Sequence, residues 1–395
     1  MRIPFLFLIV TLLLTLGVDG YIYAIARRRC RSHVPARIQL FSALALYALV
    51  IVGIFLPARG GDPAMLLTKM WVLFGYMTFF AAKVAFVLFD LIGGIPCLFG
   101  RKRLPKSGLV AGLIGVAVFL AMWWGALINR FNVQLNEVEV EIAGLPEAFD
   151  GYTIAQISDL HVGTYGSDTD FVERLVDYVN SLDADAICFT GDIVNRTTDE
   201  IIPFVGPLSK LHAPDGVFSI LGNHDYGDYY DWDSEAEKQA SLQRLKDIQK
   251  DMGWTLLLND HRFVSHGRDS IAIVGVENVG DPPFTVYGDL KASYPNLGDS
   301  VSKVLLSHNP AHWDMEVADH KDVNIGLTLS GHTHAMQMTF FGWSPAVFRY
   351  LHWGGLYGDK SGDHQLYVNI GDGTVGMPMR LGATPEVTLI TLRRK

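Results

Sequence analysis

Acidic residues are almost missing from the first third of this 395-residue chain: residues 1–130 hold 3 Asp+Glu against 14 Lys+Arg. The remainder reverses the balance, with 38 Asp+Glu against 18 Lys+Arg. A basic apolar part joined to an acidic part is the pattern of a membrane anchor carrying a soluble domain. The acidic part lacks the basic surface that phosphate backbones bind, so no nucleic acid is expected as a partner. Cysteine is scarce too. Cys30 and Cys97 fall in the apolar part and Cys188 inside a strand-like run, which excludes a disulfide scaffold and leaves the compartment open. No internal repeat and no low-complexity linker interrupts the chain, and 49% hydrophobic content suffices for two domains with one sizeable soluble core.

The apolar part reads as a transmembrane region, residues 1–130, with about four helices at 3–26, 38–56, 71–89 and 107–129. Ile38 to Leu56 and Ser107 to Asn129 carry no charge over 19 and 23 residues, enough to cross about 30 Å of hydrocarbon. A cleaved leader is the alternative for the first run, but its Arg cluster follows the apolar residues instead of preceding them. Lys83 interrupts the third span and lies seven residues from Asp90, on the same helical face. An ionisable group there is a functional hypothesis; pairing within the bundle is the plainer reading. The first loop carries Arg27, Arg28, Arg29, Arg31 and Arg37, and the third Arg101, Lys102, Arg103 and Lys106. The second has Arg59, Lys69 and Asp62. Positive-inside then puts loops one and three in the cytoplasm, with both termini and the acidic domain on the outer face of the cytoplasmic membrane.

From Val138 short β-type runs alternate with helices, and the soluble domain is read as 131–395. Strands are expected at Tyr152–Ile157, Ala186–Thr190, Val217–Leu221, Trp254–Leu258, Ser270–Val276, Val304–Leu306, Ile325–Leu329, Leu366–Asn369 and Val387–Leu392. Phe171, Val172, Leu175, Val176 and Val179 recur at helical spacing, and Ser234–Met252 reads as a second helix.

Five of these strands end in short motifs: Asp159-Leu160-His161, Gly191-Asp192, Gly222-Asn223-His224-Asp225, Ser307-His308-Asn309 and Gly331-His332-Thr333-His334. Ligands bind outside the carboxyl ends of strands in α/β sheets, so loops at that edge of one sheet are expected to gather all five. Every candidate ligand is Asp, Asn or His. That is the chemistry of a two-metal hydrolytic site, where a carboxylate spans two cations and neutral imidazoles add affinity without cancelling their charge. A lone buried Asp or His is more often a cap or a satisfied core group; five such motifs, each at the end of a strand-like run, are not.

These motifs resemble the calcineurin-like metallophosphoesterase superfamily over about residues 138–392. The finer resemblance is to its membrane-anchored bacterial branch, the YkuE/YaeI-like phosphoesterases, carried by SDLHVG at 158–163, GNHDYG at 222–227 and the closing stretch Val368 to Leu392. The resemblance implies a four-layer α/β/β/α sandwich after the helices, and hydrolysis of phosphoric esters with two divalent ions (Mn, Fe or Zn). It implies that Asp159, His161 and His334 bind the first ion, that Asn223, His308 and His332 bind the second, and that Asp192 bridges. His224 would face substrate, with Asp225 orienting it and keeping it protonated. The chain departs from the branch after His334, where Ala335-Met336-Gln337 replaces the frequent Gly-Gly-Gln.

Phe340, Phe341, Trp343, Phe348, Tyr350, Trp353 and Tyr357 crowd the stretch after the last histidines. They read either as core packing with a lid or as an apolar lip that meets the bilayer or acyl chains. The expected activity is thus a membrane-anchored phosphodiesterase or pyrophosphatase with a lipid-linked substrate. A UDP-2,3-diacylglucosamine pyrophosphatase-like enzyme of lipid A synthesis and a non-catalytic metal-dependent membrane sensor are the alternatives. The sequence leaves metal identity, substrate and oligomeric state open.

Overall fold

A computed structural model describes residues 5–56, 63–280 and 285–395. The start of the expected first span, and Arg59 and Asp62 of the second loop, lie outside these residues. Contacts divide the chain into two compact units that part at Leu127 and Ile128.

The N-terminal unit holds α1 (Phe5–Arg29), α2 (Val34–Phe55), α3 (Pro63–Gly94) and α4 (Ser107–Leu127). Among the described residues, three helical stretches are long and apolar enough to cross a membrane: Val34–Gly53, Ala64–Phe99 and Ser107–Phe131. The expected span at 3–26 is not among them. Lys83 and Asp90 each find a partner on α1. Lys83 Nζ lies 2.8 Å from Asp19 Oδ1, and Tyr47 and Gln39 of α2 also donate to that carboxylate. Asp90 takes a two-pronged contact from Arg29 at 2.8 and 3.1 Å, a hydrogen bond from Tyr21 at 2.8 Å, and an ion pair with Arg103. These charges therefore pair within the bundle, and they tie α1 to α3.

Among the described residues the C-terminal unit contains twelve strands. They run β1 (Gln134–Ile142), β2 (Thr153–Ile157), β3 (Ala186–Phe189), β4 (Val217–Ser219), β5 (Thr255–Leu256), β6 (Asp260–His266), β7 (Asp269–Gly275), β8 (Lys303–Leu306), β9 (Leu327–Ser330), β10 (Gly355–Gly358), β11 (Gln365–Val368) and β12 (Glu386–Arg394). They form two mixed six-stranded sheets, ordered β1-β12-β2-β3-β4-β5 and β10-β11-β9-β8-β7-β6. Strand period decides the layering. Ile154, Ala186, Cys188 and Phe218 of the first sheet face Ile271, Ile273, Val304 and Leu329 of the second in one buried core. Their neighbours Ala155, Ile187 and Phe189 point the other way, onto Phe171, Leu175 and Val179 of α5 (Asp170–Asn180) and onto Leu242 and Leu245 of α6 (Glu235–Asp251). On the far face of the second sheet Val274, Leu305 and Leu366 pack with Leu290 and Trp313. The layers are thus α/β/β/α.

Local chemistry explains the helix starts. Ser234 caps α6, accepting from Glu237 N–H at 3.2 Å, with the Ser-x-x-Glu spacing of a capping box. Three strands lacked a clear sequence signal: β1 begins before Val138, and β6 and β10 were not expected. All three flank their sheets, and much of each is exposed, so apolar alternation is weak there.

Removing Asp19 leaves the Lys83 ammonium without its carboxylate inside the bundle. Asp19→Ala should lower the thermal stability of the detergent-solubilised protein by about 1 kcal/mol. Adding Lys83→Met should restore part of that loss. Equal melting of Asp19→Ala and wild type would show that the pair contributes nothing.

Candidate metal centre

The five motifs do meet, but at the edges of two sheets. Asp159, Asp192 and Asn223 follow β2, β3 and β4 of the first sheet, while His308 and His332 follow β8 and β9 of the second. The expectation of a single sheet is corrected: the adjoining carboxyl ends of both sheets build the site. Among the described residues three overlapping groups result, Asp159–His161–His334, His161–Asp192–His224 and Asp192–His308–His332, and in each the ligand atoms lie within 4.8 Å of one another; the first and last are the two clusters that carry the candidate ligands. Asp192 Oδ2 lies between them, 3.6 Å from His161 Nε2 and 3.2 Å from His308 Nε2. Asn223 Oδ1 is 3.1 Å from His308 Nε2, and His334 Nε2 is 3.1 Å from His161 Nε2 and 3.2 Å from Asp159 Oδ1.

The backbone decides which oxygen each carboxylate presents. Asp192 Oδ1 accepts from His224 N–H at 2.8 Å, leaving Oδ2 for the centre. Asp159 Oδ2 accepts from Ser158 Oγ at 2.6 Å and shares His332 N–H with Oδ1, at 3.0 and 3.2 Å, while Oδ1 also lies 3.2 Å from His334 Nε2. Such close approach requires glycine at two positions. A Cβ on Gly222 would strike the Asp192 carboxylate, and one on Gly331 would strike Ser158 and Asp159.

The electrostatics suit cations. Burial, and then His224, hold His161 well below the usual imidazole range, and burial with the neighbouring His308 takes His332 down to about 3. Both rings therefore keep a lone pair. Burial opposes the charged form of Asp192, but His308 and His224 overcome it and keep the carboxylate ionised. His308 is the exception: burial opposes its charged form, yet Asp192 beside it raises its pKa to about 9, so a cation competes with a proton for this ring. Separations of 3.1–3.6 Å between donor atoms match neighbouring ligands on one ion with bonds of about 2.1 Å. The residues fit divalent metals.

A family model described as calcineurin-like phosphoesterase matches residues 152–336. Over those residues the chain is similar to calcineurin-like metallophosphoesterases. It is similar to metallophosphoesterase YkuE of Bacillus subtilis, at 29% identity over 311 residues, 74% of this chain and 99% of the relative. A metallophosphoesterase of Helicobacter pylori matches at 26% over 79% of this chain and 80% of its own length. The transmembrane protein with metallophosphoesterase domain of Danio rerio matches at 25% over 78% of this chain and 69% of its own length. The likeness is consistent with a metal-dependent phosphoester hydrolase.

Asp225 is not the partner of His224 that was expected. Its carboxylate accepts four backbone N–H groups, from Asp192 and Gly222 at Oδ2 (both 2.9 Å) and from Ile193 and Val194 at Oδ1 (2.9 and 3.2 Å). Those donors favour its charged form, while burial and the nearby Asp192 push its pKa up to about 7. His224 is oriented by Asn195, whose carbonyl lies 2.7 Å from Nδ1, and by Tyr229, which stacks on its ring at 4.2 Å. A carbonyl only accepts, so His224 Nδ1 carries a proton and Nε2 is left for other partners.

Sequence reasoning missed four supporting residues. Asn195 orients His224. Tyr229 accepts from Asn223 Nδ2 at 2.9 Å and so turns the amide oxygen inward. Tyr350 OH lies 3.4 Å from His332 Nε2. Arg380 is fully buried and reaches Gly373 O, Ala383 O, Ile370 O and His334 Nδ1, the last at 3.1 Å. Arg380 left a trace in the sequence as the one basic residue of the Gly-rich closing stretch, and Tyr350 as one of the crowded aromatics.

Five of the seven candidate ligands sit at positive φ: Asp159 (53°), His161 (44°), Asp192 (58°), His332 (74°) and His334 (49°). Ala335 and Met336 continue the run at 49° and 48°. There the branch's Gly-Gly is free of the strain these side chains bear. Met336 is partly exposed, so Met336→Gly should relieve that strain and stabilise the protein by roughly 1 kcal/mol, read as a raised melting temperature. A lowered one would contradict the strain account.

Proposed function

We propose that this chain is a membrane-anchored hydrolase that uses two divalent ions, Mn, Fe or Zn, to cleave a phosphodiester or pyrophosphate bond in a lipid-linked substrate. One observation carries the reading: the Asp192 carboxylate lies within 3.6 Å of a histidine in each of two clusters. In this reading Asp159, His161 and His334 hold one ion, Asn223, His308 and His332 hold the other, and Asp192 belongs to both. When bound, such ions activate water as a nucleophile and neutralise charge on the phosphoryl oxygens. His224 stands beside the first cluster, its ring 4.8 Å from that of His161. Its Nε2 is directed to substrate and, when protonated, gives its proton to the departing oxygen as the P–O bond breaks. Asn195 and Tyr229 hold the ring for that transfer, and Asp225 holds the loop that carries Asp192.

The sensor alternative predicts a missing ligand or a missing His224, and the chain has all eight residues. A UDP-2,3-diacylglucosamine pyrophosphatase-like role fits poorly with an outward-facing domain, because nucleotide-linked precursors are cytoplasmic. That orientation takes α1 as a fourth span beside the three apolar stretches. Arg29 at the end of α1, Asp90 late in α3 and Arg103 before α4 are joined in one network. The basic loops therefore share one end of the bundle, which positive-inside assigns to the cytoplasm of the inner membrane.

Two experiments test the proposal. His224→Ala should keep wild-type metal content but lose roughly 100-fold or more in turnover of a model phosphodiester. Asp225→Ala should lose metal as well, because four backbone donors lose their acceptor. Wild-type turnover in His224→Ala would remove that residue from the chemistry. Separately, a reporter active only outside the cytoplasm, fused after Lys395, should be active; activity of a cytoplasm-only reporter there would reverse the topology.

A further inference from the structure

The catalytic unit exposes an apolar projection beside its metal centre. Phe341 is completely exposed at a tight turn between the paired Phe340 and Trp343, with φ of 53° followed by Gly342 at 80°. Phe348 and Leu351 are 83% and 77% exposed. Tyr350, Trp353 and Tyr357, expected in the same lip, are instead partly buried and serve as its root. The root is laced to the metal loop: Thr333 Oγ1 donates to Trp353 O at 2.6 Å, Ser344 Oγ to Ala335 O at 2.6 Å, and Tyr350 stands against His332.

The same projection lies beside the point where the chain enters the unit. Asn129 is already buried there, donating to Arg380 O at 3.0 Å. The next residue, Leu381, pairs with the base of the projection, accepting from Thr339 N–H at 2.9 Å and donating to Gln337 O at 2.8 Å. Asn129 in turn follows the end of α4 at Leu127 by only two residues. Trp123 and Trp124 in the last turns of that helix are the residue type that marks a membrane–water boundary. Within this unit the apolar tip thus lies beside the residue that follows α4 by two positions in the chain. The unit's acidic balance disfavours electrostatic adsorption, so apolar side chains must make the contact.

We infer that the segment around Phe340, Phe341, Trp343, Phe348 and Leu351 seats in the headgroup–acyl boundary of the bilayer that holds the N-terminal helices. Through its root at Tyr350 and Trp353 it brings His332 to that surface. This gives the site access to a phosphoester whose hydrocarbon part stays in the bilayer; the choice of substrate rests on the hydrolase reading above, but the docking does not.

The test uses the full chain in lipid vesicles, with Phe341→Cys made in a Cys30→Ser, Cys97→Ser background, since Cys188 is buried. An environment-sensitive fluorophore at that position should be quenched several-fold more by a lipid-borne nitroxide than the same probe at Lys250→Cys, and less by iodide. Equal iodide quenching at both positions would overturn the inference. So would a probe shielded from both quenchers, which would mean that a second copy or another protein covers the tip. The measurement is repeated with Asp192→Ala, where lipid quenching should persist; this separates failure of docking from failure of the metal chemistry.

Discussion

The metal centre depends on one carboxylate that is not expected to touch metal. Asp225 gathers the backbone N–H groups of Asp192, Ile193, Val194 and Gly222, and so clamps the loop after β3 against the loop after β4. Without that clamp the four donors would be buried and unpaired, each a cost of about 1–3 kcal/mol. With it, Asp192 is pinned at positive φ with one oxygen on His224 N–H and the other between the two histidine clusters.

The sandwich supplies the rest of the geometry. Two sheets packed through Cys188, Ile273, Val304 and their neighbours bring the ends of β2, β3 and β4 alongside those of β8 and β9. Neither sheet alone holds a complete donor set. The left-handed run from His334 to Gln337 turns His334 toward Asp159 and starts the exposed segment that follows. Arg380 then ties three parts together, since it touches His334, supports the closing loop and offers its carbonyl to Asn129. Strain, clamp and buried guanidinium are local costs that a packed core of this size can carry.

The ligand motifs were legible in the sequence because they are short, local and set at the ends of apolar strands. All seven candidate ligands fall in or beside the two clusters. What joins them was less legible. The pairing of His224 with Asn195, of Asn223 with Tyr229 and of His334 with Arg380 depends on contacts between distant segments, which spacing does not encode. Proximity in sequence made Asp225 look like the partner of His224, whereas its contacts run to the backbone. The division into two sheets was missed for a related reason: strand period gives the buried face but not the neighbour. In the N-terminal unit Lys83 and Asp90 do pair within the bundle, and their partners Asp19, Arg29 and Arg103 lie on other elements.

The central claim is that Asp192 belongs to two ion sites at once. Anomalous diffraction from crystals of the full chain reconstituted with manganese tests it directly. The account predicts two peaks about 3.5–4 Å apart, one on each side of the Asp192 carboxylate. A single peak, or two that do not share Asp192, would contradict it.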